Sequence, residues 1–341
     1  MTDVNTVGKT VGNAVGNGVN IPVGNLDPLF QEDDRSSILP IKYPTIRDCL
    51  EKQRGCFWQV HEVSLKADLV DWVKLSKDEQ HFIKMVLAFF ATSDIIVNEN
   101  LTNRFVHDIK VHEISMLYNF QKMMEDIHSE MYATLIDTYI SDSQEKNYLF
   151  NAVKNIPIIK KKADWAYKWM DSDKPYSHRL VAFSALEGIF FSGSFCAIYW
   201  LKEKGLLPGL TLSNDFIARD EGMHVESAIE IYKLLKEKVD TKTIHEIISE
   251  AVILETEFIT EALPCKLIGM NANMMAEYIK FVANRLIKQF GYDELYAKTS
   301  QPFTFMDRIA LDGKSNFFEK RPSEYNKLAS DEDSSDAYAN L

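Results

Sequence analysis

Two Glu-x-x-His pairs, Glu125 with His128 and Glu221 with His224, are the residues best suited to chemistry in this chain. On a helix, positions i and i+3 lie over one spot, so a carboxylate and an imidazole can grip one ion together. A carboxylate with a neutral imidazole suits iron, manganese or zinc. Eight histidines and 50 acids give roughly one acid-x-x-His by chance, so spacing alone does not make a site. Asp78 with His81 has the same spacing, but it falls in the first turn of a helix, where acids complement the dipole.

The surroundings make the two Glu pairs different. In the stretch from Tyr118 to Tyr139, the residues Tyr118, Gln121, Glu125, His128, Tyr132, Leu135 and Tyr139 share one helical face. Lys122, Asp126, Glu130 and Asp137 take another face, which suits water. The first face should point inward, and an unpartnered carboxylate there is costly. Around the second pair, Ile217, Glu221, His224, Ala228, Ile231 and Leu235 make a similar stripe. Two isolated acids sit on other apolar helices. Asp94 is the only charge between Lys84 and Glu99, and Glu187 is the only one between Arg179 and Lys202. Taken singly, Glu187 also reads as a protonated acid or a polar contact inside a bundle. Together, four helices offer Asp94, Glu125, His128, Glu187, Glu221 and His224. That is the ligand set of a dinuclear carboxylate centre in a four-helix bundle.

Tyr132 lies one turn beyond His128 on the same face. It reads either as a core tyrosine or as a phenol that oxygen-activating metals oxidise, with Phe191 and Phe195 as protecting walls or as plain core. Asp220 reads either as a surface acid or as the carboxylate that accepts the second imidazole N–H of His128.

The elements that position these residues are helical. Ser76 and Glu79 form a capping box that opens a long helix through Asn100. The next helix runs from about Val111 to Tyr139, followed by shorter ones near 145–154 and 158–171. An apolar helix spans His178 to Leu201, a further one carries the second pair, and two more lie near 242–262 and 272–290, with Pro264 and Gly291 helping to end them. Leu26 to Ile46 looks irregular, with Pro28, Pro40 and Pro44 as breakers. The fold class is all-α. Residues 1–25 repeat Val-Gly-Asn and read as a flexible arm, residues 26–328 as one large helical domain, and residues 329–341 as a disordered acidic tail.

The chain has 341 residues, is 46% hydrophobic and carries a net charge of −12. Its size allows a large core, and its charge argues against a nucleic-acid partner. Cys49, Cys56, Cys196 and Cys265 form no C-x-x-C pair and no secretory leader precedes them, which suits free thiols in a reducing cytoplasm. Leu180 to Leu201 is long enough to span a bilayer. Glu187, the small or polar Ser184, Gly188, Ser192, Gly193 and Ser194, and the lack of a second comparable span argue against a membrane.

At these residues the sequence resembles the small, radical-generating subunit of class I ribonucleotide reductase, of the eukaryotic and large-DNA-virus type. The likeness covers about residues 26–328 and rests on SDIIVNENL, MEDIHSEMY, ADWAYKWM, EGIFFSGSF, RDEGMH, TEALPCKLIGMN and NFFEKR. It implies a ferritin-like bundle, a homodimer, and two iron ions held by Asp94, Glu125, His128, Glu187, Glu221 and His224. With O2 and an electron donor, such a centre leaves a stable radical on Tyr132, inside an apolar pocket of Phe191, Phe195 and Ile217. The resemblance further implies an electron path through Trp58, Asp220 and His128, with Tyr325 as its exit, and a C-terminal tail that docks into the large catalytic subunit. Some relatives lack the radical tyrosine and use manganese with iron; Tyr132 argues against that here without excluding manganese. The N-terminal arm and the ending AYANL depart from the family pattern. The rival readings are a ferritin-type iron-storage protein and a di-metal oxidase that does no ribonucleotide chemistry.

Overall fold

The computed structural model describes residues 27–170, 173–262 and 272–306, and among them there is no strand. The arm at 1–25, the tail at 329–341, Pro264, Cys265 and Tyr325 lie outside the described residues. The elements are α1 (Pro44–Gly55), α2 (Lys66–Trp72), α3 (Lys77–Asn100), α4 (Val106–Asp108), α5 (His112–Tyr139), α6 (Ser143–Phe150), α7 (Ala152–Asn155), α8 (Pro157–Met170), α9 (Tyr176–Ala185), α10 (Ser192–Glu203), α11 (Pro208–Leu234), α12 (Thr241–Ala262) and α13 (Ala272–Gln289). Two π-helical turns interrupt the series, Leu101–Phe105 after α3 and Leu186–Phe190 between α9 and α10.

The core helices form where local signals agree. Ser76 caps α3: its hydroxyl accepts from the Glu79 N–H, and the Glu79 carboxylate accepts from the Ser76 N–H. The inward stripe of α5 is buried throughout, and Asp126, Glu130 and Asp137 on the opposite face are exposed. α3 lies along α5, while α11 packs on α5, α9, α10 and the second π turn. The start of α11 is fixed from a distance. The Asp68 carboxylate accepts from the Gly209 and Leu210 N–H groups at 2.7 and 2.8 Å and from the Tyr139 hydroxyl. Position 209 must be glycine, because a Cβ there would lie 2.6 Å from the Ser64 carbonyl.

Several expectations need correction. The apolar run from His178 to Leu201 is helical as expected but not a regular α-helix: it leaves the α pattern at Leu186 and resumes it at Ser192. Nearly every residue in it is buried, so its side chains carry no periodicity that would show an inserted residue. Pro44 does not break structure but opens α1, at a position where a missing N–H costs nothing. The short helices α1 and α2 are further additions, and α11 starts at Pro208, ahead of the second acidic stripe.

A second comparable span does exist, contrary to expectation: Lys77–Asp108 as well as Tyr176–Glu203 is long and apolar enough to cross a membrane, but 67% and 94% of their most apolar windows are buried inside the protein. They are core helices of the bundle. Cys49, Cys56 and Cys196 are buried thiols within it.

Candidate metal centre

The six candidate ligands come together from four places. Asp94 projects from α3, Glu125 and His128 from α5, Glu187 from the second π turn, and Glu221 and His224 from α11. Each is at most 2% exposed. Their donor atoms make two groups, each within 4.8 Å: Glu125, Glu187, Glu221 and His224 in one, Asp94, Glu125 and His128 in the other. Glu125 belongs to both. The imidazole rings are 6.1 Å apart. His224 Nδ1 lies 3.0 Å from Glu125, 3.2 Å from Glu221 and 3.3 Å from Glu187, and His128 Nδ1 lies 3.1 Å from Glu221 and 3.4 Å from Glu125. Asp78 and His81, by contrast, are exposed.

The bonding within this cluster is incomplete. Both oxygens of Asp94, both of Glu125, Glu187 Oε1, Glu221 Oε1 and His128 Nδ1 are buried without a well-formed hydrogen bond among the described residues, although the imidazoles lie at hydrogen-bonding distance from Glu125 and Glu221. Such orphaned acceptors are costly in an apolar interior. Burial, and then the Glu125 charge, pushes Asp94 well above the usual carboxylate range. Burial and Glu221 do the same to Glu187. Glu221 goes the other way: burial would raise it, but Glu187 and the two imidazoles outweigh that and hold it low. Burial also opposes charge on His128 and His224, yet the surrounding carboxylates hold both well above the ordinary imidazole value. The donor types, the shared Glu125 and the orphaned atoms fit a dinuclear metal site.

Asp220 is not a surface acid. It is 2% exposed, and its Oδ2 accepts from Trp58 Nε1 at 2.7 Å and from His128 Nε2 at 3.1 Å. An Nε2–H given to Asp220 leaves the Nδ1 lone pair facing the cluster, the arrangement a ligating imidazole needs. The Trp58 ring also stacks on His128, 6.0 Å between centroids at 19°. Asp220 is anchored by a residue that periodicity does not single out: Arg219 donates to its Oδ1 at 3.1 Å and to the Cys56 carbonyl at 2.7 Å.

Tyr132 is buried, and burial followed by the Asp94 charge keeps its phenol protonated far above the ordinary value. The ring directly against it is Phe90, stacked at 4.7 Å and 25°. Phe191 and Phe195 pack on Phe90 at 5.3 and 5.2 Å, and Ile217 is fully buried. In the sequence Phe90 looks like any core phenylalanine. Only its position could have marked it: it precedes Asp94 by four residues, as His128 precedes Tyr132.

The chain matches the family model for the ribonucleotide reductase small chain over residues 35–302. It is 53% identical to the ribonucleoside-diphosphate reductase small chain of variola virus over 300 residues, 88% of this chain and 94% of that one. It is 52% identical to the small chain of Spisula solidissima over 305 residues, 89% of this chain and 79% of that one. Among solved structures, the ribonucleotide reductase Rnr4 homodimer from Saccharomyces cerevisiae superposes with a TM-score of 0.76 at 35% identity, covering 87% of this chain and 92% of that one. This breadth of match leaves no ground for an iron-storage protein. A ferritin-like helical bundle with a buried carboxylate and imidazole cluster, matched along most of its length, makes this chain a member of the ribonucleotide reductase small-chain family, the small subunit of ribonucleoside-diphosphate reductase.

Proposed function

We propose that Asp94, Glu125, His128, Glu187, Glu221 and His224 hold two iron ions, and that the subunit generates a stable radical on Tyr132. That radical would be passed to the large subunit for reduction of ribonucleotides to deoxyribonucleotides. The observation that carries this reading is the buried six-residue cluster with its orphaned oxygens. Iron bound there would let O2 act as the oxidant: the two irons and an electron donor would reduce it, and Tyr132 would give up one electron and one proton to it. Manganese suits the same donors.

The chain's own residues supply the setting. Phe90, Phe191, Phe195 and Ile217 keep water from the phenol ring, which is what a long-lived radical needs. The Tyr132 phenol is neutral, so its oxidation releases a proton along with the electron. Asp220 bridges the Trp58 indole and the His128 imidazole. An electron leaving Trp58 would make its N–H acidic, and Asp220 Oδ2 is placed to hold that proton. Arg219 keeps the carboxylate in position. Tyr325 would continue the path toward the large subunit, with residues 329–341 as the docking tail. The homodimer of the yeast relative supports a homodimer here, and the buried thiols suit the cytoplasm.

The test is metal analysis with electron paramagnetic resonance after ferrous iron and O2 are added to the full chain. Two irons per chain and a radical signal are expected. Tyr132→Phe should keep both irons and lose the radical; an unchanged radical signal would refute the assignment. Deleting Ser330 to Leu341 should leave the metals in place and abolish turnover with the large subunit, and full turnover would remove the docking role.

A further inference from the structure

Lys162 on α8 and Glu255 on α12 form an ion pair in the apolar interior. They are 1% and 0% exposed, with Lys162 Nζ 2.6 Å from Glu255 Oε2. The rings of Phe89, Phe258 and Phe190 surround the ammonium at 3.3, 4.2 and 4.7 Å to their centroids. A buried ion pair is a poor source of stability compared with well-packed apolar residues, so its position matters more than its strength. Both of its members reach the same stretch of backbone. Lys162 Nζ donates to the Phe190 carbonyl at 3.0 Å, and Glu255 Oε1 accepts from the Gly193 N–H at 3.2 Å. Those two groups flank the break at Phe191, where the π turn ends and α10 begins.

Backbone groups at a helix junction lack part of their intrahelical bonding, and π turns persist where the surroundings hold them. Here α8 and α12 do the holding. Gly193 admits the contact: a Cβ there would lie 2.6 Å from both Glu255 Oε1 and Ile259 Cγ1. The same π turn carries Glu187 into the metal cluster. We propose that Lys162 and Glu255 are positioning residues for the metal centre, fixing the π turn so that Glu187 faces its ion. The inference rests on the dinuclear reading above. It has an asymmetric consequence, because Glu187 belongs to one donor group, with Glu125, Glu221 and His224, and not to the group of Asp94, Glu125 and His128. Loss of the clamp weakens one ion and spares the other.

The experiment is an anaerobic titration of the metal-free full-length chain with cobalt(II), followed by its visible absorption, for wild type and for Lys162→Met/Glu255→Gln. The double variant keeps the side-chain shapes and an oxygen for the Gly193 N–H while removing both charges. Wild type should take two ions per chain. The variant should take one ion with wild-type affinity and the other about tenfold or more weakly, with unchanged helical circular dichroism. Two ions bound as in wild type, or both weakened alike, would overturn the inference. Fewer than two ions in wild type would instead bring down the dinuclear reading. Gly193→Ala, which leaves both charges in place but displaces Glu255, should give the same one-ion loss and keeps the test open if the double variant does not fold.

Discussion

Two polar islands lie in the same apolar interior, and they are bonded in opposite ways. In the Lys162–Glu255 island, the ammonium meets a carboxylate and a carbonyl, and the carboxylate meets the ammonium and a peptide N–H. Burial still moves both groups toward neutrality, Lys162 down to about 8 and Glu255 up to about 7. The Asp94–Glu125–Glu187–Glu221 island has four acids, two imidazoles and a set of oxygens without a well-formed hydrogen bond. The chain completes the first island by itself, and the second is built to be completed from outside. What separates the two islands is the concentration of unbonded carboxylate oxygens in the second, since burial and charge are common to both.

Substitutions should act with opposite sign in the two islands. Lys162→Ala strands Glu255 and should cost about 3–5 kcal/mol, read as the urea midpoint of the metal-free protein. A loss below about 1 kcal/mol would mean that the island is not a closed pair. A third cluster, nearer the surface, offers a control on how pairing sets the sign. Burial would raise Glu113, but the Arg35 guanidinium and the Lys42 N–H outweigh it and hold the carboxyl at about 2, below its ordinary 4.5. Its folded pKa is depressed, so its contribution, about 1–2 kcal/mol once solvent screening near the surface is allowed for, is present above pH 4.5 and fades as pH falls toward 2. Against Glu113→Gln, the wild-type advantage should shrink between about pH 5 and pH 3; an advantage that stays constant would contradict the pairing.

Asp94→Asn should do the reverse of Lys162→Ala. Replacing a buried, unpartnered acid among other acids should stabilise the metal-free protein by about 1–2 kcal/mol while impairing metal uptake. A destabilised metal-free variant would show that the orphaned oxygens have partners after all. The smallest effect belongs to Ser76→Ala, which removes an exposed cap far from both islands and should cost about 1 kcal/mol. Thermal unfolding would show it, with cobalt uptake unchanged.

What can be read in the chain alone is whatever helical repetition records. Side chains three and four residues apart share a face whatever the rest of the molecule does, so the stripe through Glu125 and His128 and the one through Glu221 and His224 follow from residue order by itself. Asp94 and Glu187 stand out because a lone acid in an apolar run contrasts with its neighbours. Packing decided the rest, because it depends on residues distant in sequence. The Phe90 ring meets Tyr132 only when α3 lies along α5. Arg219 holds Asp220 only where α11 passes the Cys56 carbonyl. The π turn at Leu186–Phe190 left no trace, since a run buried on all sides has no polar face to show a change of phase. Lys162 and Glu255 are 93 residues apart, and no local rule relates them. Local geometry determined which side chains face inward; only the meeting of α8, α12 and the turn determined where Glu187 points.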